Sequence, residues 1–438
     1  MRLPEFRMDS VFIFSLAAAT LIGLLNLYSA GVGQEYIFAR QTAATVVGLV
    51  LCAILSMADY RDLRKYSFLL YVCGNLVLLA TSMAGHEVKS TRAWLNLGIF
   101  SIQPSELFKG VFVLYLAAYL SRIQREHKAT LTRGLLLPAV LLAVPVAIIL
   151  HQHDAGTAAV YIPLFFVMLY MADLHFTLIG IILSCGAVAG VTTIFRVYAK
   201  TAWPDWDPVI QKYFSMPYLF SFFGAMLLVF LIILLIRLRT THFRGGGILK
   251  IELLVVLILF AGLQAGDGFY RALKPHQKNR IASFIKPRID PRGAGYQAIQ
   301  AKIAVGSGGI FGKGYLKGTQ KRLGFLPEQW TDFAFSVLAE EWGFAGSVVT
   351  LLIYALLIGS AIWIGRHATD LFGCLLAVGV ATLYFVHMSI GVAMNLGAFP
   401  VVGIPMPFLS YGGSAQVLNL AAAGLIISVA RHRRLLAA

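Results

Sequence analysis

The chain has 438 residues, of which 58% are hydrophobic and only 13% charged, with a mean hydropathy of +0.77 and a net charge of +16. Soluble domains carry about a quarter charged residues, so a soluble enzyme or binding module is excluded and an integral membrane protein is required. Apolar runs of about twenty residues fit spanning helices, and the ten-residue alternation of an outer-membrane barrel is missing.

In chain order the pattern predicts an all-α polytopic membrane protein with about twelve transmembrane helices. They fall near 10–31, 38–57, 66–83, 104–121, 134–151, 157–173, 176–196, 217–236, 249–265, 333–364, 371–394 and 409–430. The first run exceeds a signal-peptide core and leads straight into further spans, so it reads as a retained helix. Cys52, Cys73, Cys185 and Cys374 lie within apolar runs without metal-ligand spacing, which points to packing. Basic clusters at 61–65, 122–133, 237–250 and 431–434 share one side if the spans alternate. The positive-inside rule then makes both termini cytoplasmic. On this reading 1–438 is a single membrane domain whose longest polar stretch, 266–332, is a large extracytoplasmic loop.

Several stretches are chemically suggestive. Arg92 precedes Gln103-Pro104-Ser105-Glu106-Leu107-Phe108-Lys109, where Pro104 suits a helix start and Glu106 and Lys109 share a helix face. An ionisable side chain within a span costs about 2.5–3.5 kcal/mol, so this pair is either a structural ion pair or faces a hydrated cavity. Asp154 follows His151-Gln152-His153 at the outer end of the fifth span, and those histidines lack the i, i+4 spacing of a helical metal site. The 266–332 segment holds twelve Lys or Arg against four acids: Asp267, Asp290, Glu328 and Asp332. Such a surface attracts phosphates or anionic headgroups, and an acid inside it is a candidate for proton transfer or metal binding; a solvated charged loop is the plain alternative. The run Gly306-Ser-Gly-Gly-Ile-Phe-Gly-Lys313-Gly314 fails as a Walker A motif and as a dinucleotide fingerprint, which leaves close ligand approach or tight turns. Glu340 and Glu341 follow inside the tenth span. Three prolines and four glycines between Asn395 and Ser414 argue for irregular backbone lining a cavity.

Together these stretches resemble the SEDS family (shape, elongation, division and sporulation) of membrane glycosyltransferases, over almost the whole chain. The resemblance rests on Gln103-Pro-Ser-Glu106-x-x-Lys109 and on Asp290-Pro-x-Gly-x-Gly-Tyr296-Gln297. It rests equally on Lys302-Ile-Ala-Val-Gly-Ser-Gly-Gly through Gly318-Thr-Gln320, and on Pro405-x-Pro-Phe-Leu-Ser410-Tyr-Gly-Gly-Ser414. Gly324-Phe-Leu-Pro327-Glu328-x-x-Thr331-Asp332-Phe333 looks like the elongation type more than the division type. Two departures stand out. The family usually has a core of ten spans, and an inserted helix pair at 217–265 makes twelve here, an even number that keeps the following loop on its side. His153 and Ala155 replace the proline and leucine of the family's fifth-span motif, while Asp154 is retained.

The resemblance implies a peptidoglycan glycosyltransferase of the bacterial inner membrane, polymerising lipid II during elongation and rod-shape maintenance and releasing undecaprenyl pyrophosphate. It implies Asp290 as the catalytic residue, either as general base or as holder of a divalent cation (Mg2+ or Mn2+). A carboxylate crowded by cations is a weak base, which keeps both roles open. Arg92, Glu106, Lys109, Asp154, Lys302, Lys313, Gln320, Ser410 and Ser414 are the implied supporting or substrate-binding positions. A class B penicillin-binding protein is the implied partner, with other elongation-complex membrane proteins and no nucleic acid. Its membrane helix is expected on 371–430, where Ala421-Ala422-Ala423-Gly424 would permit close approach. A flippase of lipid II and a non-catalytic scaffold are the rival readings.

Overall fold

The computed structural model describes residues 5–88, 91–96, 101–127, 130–174, 176–214, 223–224, 246–290, 293–319 and 326–435. In chain order the helices are α1 (Glu5–Ala30), α2 (Glu35–Met57), α3 (Tyr60–Ala84), α4 (Pro104–Arg125), α5 (Leu137–His151), α6 (Ala155–Met171) and α7 (Phe176–Ala202). There follow α8 (Asp207–Tyr213), α9 (Gly246–Ala272), α10 (Pro275–Ile285), α11 (Ala294–Ser307), α12 (Ala334–Arg366), α13 (Leu371–Asn395) and α14 (Gly413–Leu435). Nine of the described helices are long and apolar enough to cross a bilayer, which makes this a multi-pass membrane protein. Eleven of the predicted spans coincide with a described helix. The remaining one, 217–236, lies outside the described residues apart from Phe223 and Gly224, and half of the inserted pair lies there with it.

The chain forms two compact units, one of residues 1–175 with 297–438 and one of residues 176–296. In the first, the connection between α3 and α4 adds a small feature that the all-helical reading did not contain. Strands β1 (His86–Val88), β2 (Thr91–Asn96) and β3 (Ser101–Ile102) make an antiparallel sheet with β2 in the middle. Trp94 pairs with His86 and Leu95 with Ile102, and the sheet delivers the chain directly to Pro104 at the start of α4.

Helix α14 packs along α2 at close range. A Cβ on Gly424 would lie 2.5 Å from Cys52 O, and one on Gly48 would lie 2.7 Å from the Leu420 side chain. Ala422 and Ala423 are buried as well. The small-residue run at 421–424 is therefore spent inside the bundle, which corrects its expected use as a free docking face. Small side chains permit close helix approach, and here α2 is the helix that approaches.

One end of this unit gathers both chain ends. Arg433 Nη2 pairs with Asp9 Oδ1 at 3.2 Å, and Tyr60 N donates to Ser428 Oγ at 3.2 Å. Tyr60 OH donates to Asp370 Oδ1 at 2.7 Å, which adds the α12–α13 turn. Asp9 near the start of α1 and Arg433 near the end of α14 thus lie at the same end of this unit.

The described part of 266–332 holds more helix than a loop reading implied. Helix α9 continues to Ala272, and α10 and α11 follow. Its glycine run is a strap fixed to the start of α12. Lys313 N donates to Glu340 O and Gly314 N to Glu341 O, both at 3.0 Å; in return Phe344 N donates to Gly309 O at 2.9 Å. A Cβ on Gly312 (φ +78°) would lie 2.1 Å from Glu341 O, so backbone meets backbone there and only glycine fits. The run makes tight turns against protein.

In the second unit α7 crosses α9 closely. Cβ atoms on Gly262 and Gly266 would lie 2.5 Å from the Val188 side chain and 2.6 Å from Ala189 O. Amphipathic α10 folds back on both helices, burying Ala282 with Val197 and Tyr270 and packing Ile281 and Ile285 against them.

Candidate active site

In the first unit, Gln103 and the opening turn of α4 organise a polar chain through otherwise apolar packing. Pro104 occupies the first helical position, and three residues of rise bring Glu106 and Lys109 onto one face. Lys109 Nζ lies 2.7 Å from Glu106 Oε1, with side chains only 1% and 5% exposed. Thr157 Oγ1 donates to the same carboxylate oxygen at 3.4 Å. Asp154 caps α6, accepting from Thr157 N at 3.0 Å and from Gln103 Nε2 at 2.9 Å. Gln103 N in turn donates to Ser414 Oγ at 2.9 Å. Burial raises the Asp154 carboxyl above the ordinary carboxylate range, against the Thr157 bonds that lower it. Four of the sequence-predicted positions, Glu106, Lys109, Asp154 and Ser414, are therefore joined by Gln103 and Thr157.

The other positions have different settings. Ser410 Oγ accepts from Met406 N at 3.0 Å and shapes the irregular 405–412 backbone, which Gln41 braces by accepting from Gly412 N at 3.1 Å. Arg92 is exposed on β2, and its N–H donates to Gln152 O at 3.2 Å. Lys302 lays its stem over Gly397 (φ +65°), where a Cβ would lie 1.7 Å from Lys302 Cε. Lys313 forms an ion pair with Glu340 at 2.7 Å, so its charge is already answered within the protein. Gln320 lies outside the described residues. His153 stands at φ +64°, which proline cannot adopt, so the loss of the family's proline accompanies a distinct local backbone that still presents Asp154.

His387 escaped the sequence reading. It lies in α13 with Nε2 3.0 Å from Lys109 Nζ and Nδ1 3.0 Å from Pro405 O. A lone ionisable residue within an apolar span was the available signal.

In the second unit, α10 leads through the turn Pro287–Ile289 to Asp290. Asp290 N donates to Pro287 O at 3.3 Å, and Tyr296 N donates back to Asp290 O at 3.2 Å. The carboxylate folds over Gly293, where a Cβ would lie 2.3 Å from Oδ2; a Cβ on Gly295 would lie 2.1 Å from Pro287 O. Two glycines thus let the chain double back and hold the carboxylate beside the start of α11. Lys286, just before that turn, and Arg288, within it, are exposed. At the base of this arm, Asp267 pairs with Arg196 at 3.3 Å and Arg271 at 2.7 Å, and the Tyr270 ring lies between Arg196 and Lys278, 4.8 and 4.5 Å from its centroid. Among the described residues no group of three or more His, Cys, Asp or Glu is arranged to hold a metal ion.

The family model for FtsW, RodA and SpoVE, described as cell cycle proteins, matches residues 9–207 and 216–435. The chain belongs to the FtsW/RodA/SpoVE family. It is 36% identical over 437 residues to the peptidoglycan glycosyltransferase RodA of Treponema pallidum, covering 96% of this chain and 97% of the relative. The peptidoglycan glycosyltransferase MrdB of Escherichia coli is 29% identical, with coverage of 99% and 96%. A solved chain from a peptidoglycan synthase complex, described as coordinating polymerization and crosslinking, superposes with a TM-score of 0.65 at 28% identity, covering 96% of this chain and 97% of that one. The rod shape determining protein RodA of Thermus thermophilus, at 23% identity, TM-score 0.58 and 96% coverage of both chains, shares the fold. The SEDS resemblance and its RodA-like leaning are borne out.

Proposed function

We infer that this RodA-like chain is a peptidoglycan glycosyltransferase acting in elongation, and we propose Asp290 as its catalytic residue. The observation that carries the reading is Asp290 itself: a carboxylate set over Gly293 just after exposed Lys286 and Arg288, in a chain matching peptidoglycan glycosyltransferases over nearly its full length. The substrate is lipid II. The GlcNAc 4-hydroxyl of one molecule attacks the anomeric carbon of the growing glycan, the bond to the pyrophosphate breaks, and undecaprenyl pyrophosphate leaves with the electron pair. Asp290 accepts the hydroxyl proton as the new bond forms, a role worth about 10²–10⁴-fold. Lys286 and Arg288 stabilise the charge on the leaving group.

One carboxylate cannot cage a metal, but it suits a cation that takes its other oxygens from substrate phosphates. Mg2+ or Mn2+ held by Asp290 in that way would neutralise the departing pyrophosphate. Glu106, Lys109, Asp154 and Ser414 support the reaction as one hydrogen-bonded group. The termini face the cytoplasm of the bacterial inner membrane, which turns the Asp290 arm outward. A class B penicillin-binding protein supplies the crosslinking that finished wall needs.

The test is polymer formation by the purified protein in detergent given labelled lipid II. Wild type makes glycan strands, and D290N, which keeps size but loses the basic carboxylate, makes none while melting normally. Chelation followed by Mg2+ or Mn2+ decides the cation role. Movement of lipid II without polymer would make the chain a flippase, and an active, well-folded D290N would end the assignment of Asp290.

A further inference from the structure

His387 has no part in the reaction as set out above, yet it is the most specifically held ionisable side chain in α13. It is 6% exposed and bonded at both ring nitrogens. A carbonyl oxygen can only accept, so the bond to Pro405 O puts the ring proton on Nδ1. The neutral ring then offers a lone pair at Nε2, and the Lys109 ammonium donates to it. Lys109 is thus gripped at two points, by Glu106 Oε1 at 2.7 Å and by His387 Nε2 at 3.0 Å.

These bonds close a circuit. Helix α4 is tied at its start to the 405–414 segment by Gln103 N and Ser414 Oγ, and one turn later to the same segment through Lys109, His387 and Pro405 O. We propose that His387 is a positioning residue for polymerisation, fixing the Lys109 ammonium against Glu106 and locking α4 to the 405–414 segment. This rests on the glycosyltransferase reading, and on Glu106 and Lys109 supporting that reaction. The bland alternative is a histidine that merely fills space and satisfies its own nitrogens.

The two differ in what should rescue function. Leucine fills the volume but offers neither bond; glutamine offers an amide N–H for Pro405 O and a carbonyl for Lys109. In proteoliposomes of the full-length protein given labelled lipid II, H387L should lower kcat at least about tenfold with KM within about twofold, as loss of geometry predicts. H387Q should recover to within about threefold of wild type, and H387L should cost nothing further in a K109M background. 15N NMR of histidine-labelled protein gives a readout independent of activity: a protonated Nδ1, a bare Nε2, and an Nε2 resonance that moves in K109M. The proposal is overturned if H387L polymerises normally, if H387Q is as impaired as H387L, if Nε2 carries the proton, or if K109M leaves Nε2 unmoved. Should wild type form no polymer, the glycosyltransferase reading fails, and the NMR comparison still decides the His387–Lys109 bond.

Discussion

Deleting either half of the Glu106–Lys109 pair strands a charge where water cannot reach it. The side chains are 5% and 1% exposed and 2.7 Å apart. Breaking a buried pair in this way costs about 3–5 kcal/mol, because the surviving charge is left uncompensated. The surroundings make the halves unequal. In E106Q, Lys109 keeps His387 Nε2 at 3.0 Å and gains the new amide oxygen, so the loss should sit near the lower bound, about 3 kcal/mol. In K109M, Glu106 keeps the Thr157 hydroxyl at 3.4 Å, a long bond to a neutral group, and the loss should approach about 5 kcal/mol. The double variant leaves no charge behind, and should therefore cost no more than K109M alone, giving a coupling of about 3 kcal/mol. Equilibrium unfolding of the four proteins in mixed detergent micelles measures the cycle directly, with polymerisation followed in parallel. Losses that add to within about 0.5 kcal/mol would show that the pair is not coupled, and E106Q costing more than K109M would show that His387 gives Lys109 no support.

G293A would push a methyl to 2.3 Å from Asp290 Oδ2, so the carboxylate must move; polymerisation should fall about 100-fold with melting unchanged, and a normal rate would show that Gly293 does not set the position of Asp290. Burial raises the Asp154 carboxyl above its ordinary 3.8, so just above that pH the folded state keeps a proton that the unfolded state has lost. Stability should then fall as pH rises through that window, and D154N should flatten the slope; an unchanged slope would refute this. G424L would drive its Cβ to 2.5 Å from Cys52 O and part α14 from α2, costing about 1–3 kcal/mol or more in unfolding measurements, whereas a neutral result would mean that this contact is loose.

The spans were legible because hydropathy and length report burial in lipid without reference to any partner. The Glu106–Lys109 pair was legible for a similar reason, since a spacing of three is a local fact of helix geometry. What joins it to Asp154 and Ser414 was hidden, because Gln103 reaches 51 residues ahead with its side chain and 311 with its backbone. The glycine run stayed open between ligand approach and tight turns on the same grounds. Glycine at 312 looks permissive alone, and its need appears only when Glu341 O arrives from the following helix. Helix α10 was hidden by composition: Lys278 and Arg280 give it the look of a solvated loop, while Ile281, Ala282 and Ile285 bury a stripe on one side. The Thr91–Asn96 strand lacked length, and its pairing partners are shorter still.

The structure also reduces the positive field that the 266–332 sequence suggested. Lys313 is neutralised by Glu340, Asp267 is shared by Arg196 and Arg271, and Lys278 is committed to the Tyr270 ring. Within the second unit, Lys286 and Arg288 remain exposed within four residues of Asp290. Two exposed cations so near in sequence to one carboxylate would be an odd design for receiving a neutral sugar alone. They suit a reaction whose charge builds on a departing pyrophosphate, where fixed cations beside the breaking bond lower the barrier as the charge develops. On the role proposed for Asp290, the sugar hydroxyl must be brought within hydrogen-bond reach of the carboxylate. Gly293 and Gly295 would serve that role by leaving room for the turn, because a Cβ on Gly293 would lie 2.3 Å from Asp290 Oδ2 and one on Gly295 2.1 Å from Pro287 O, so that a side chain at either position would displace the turn or its carboxylate.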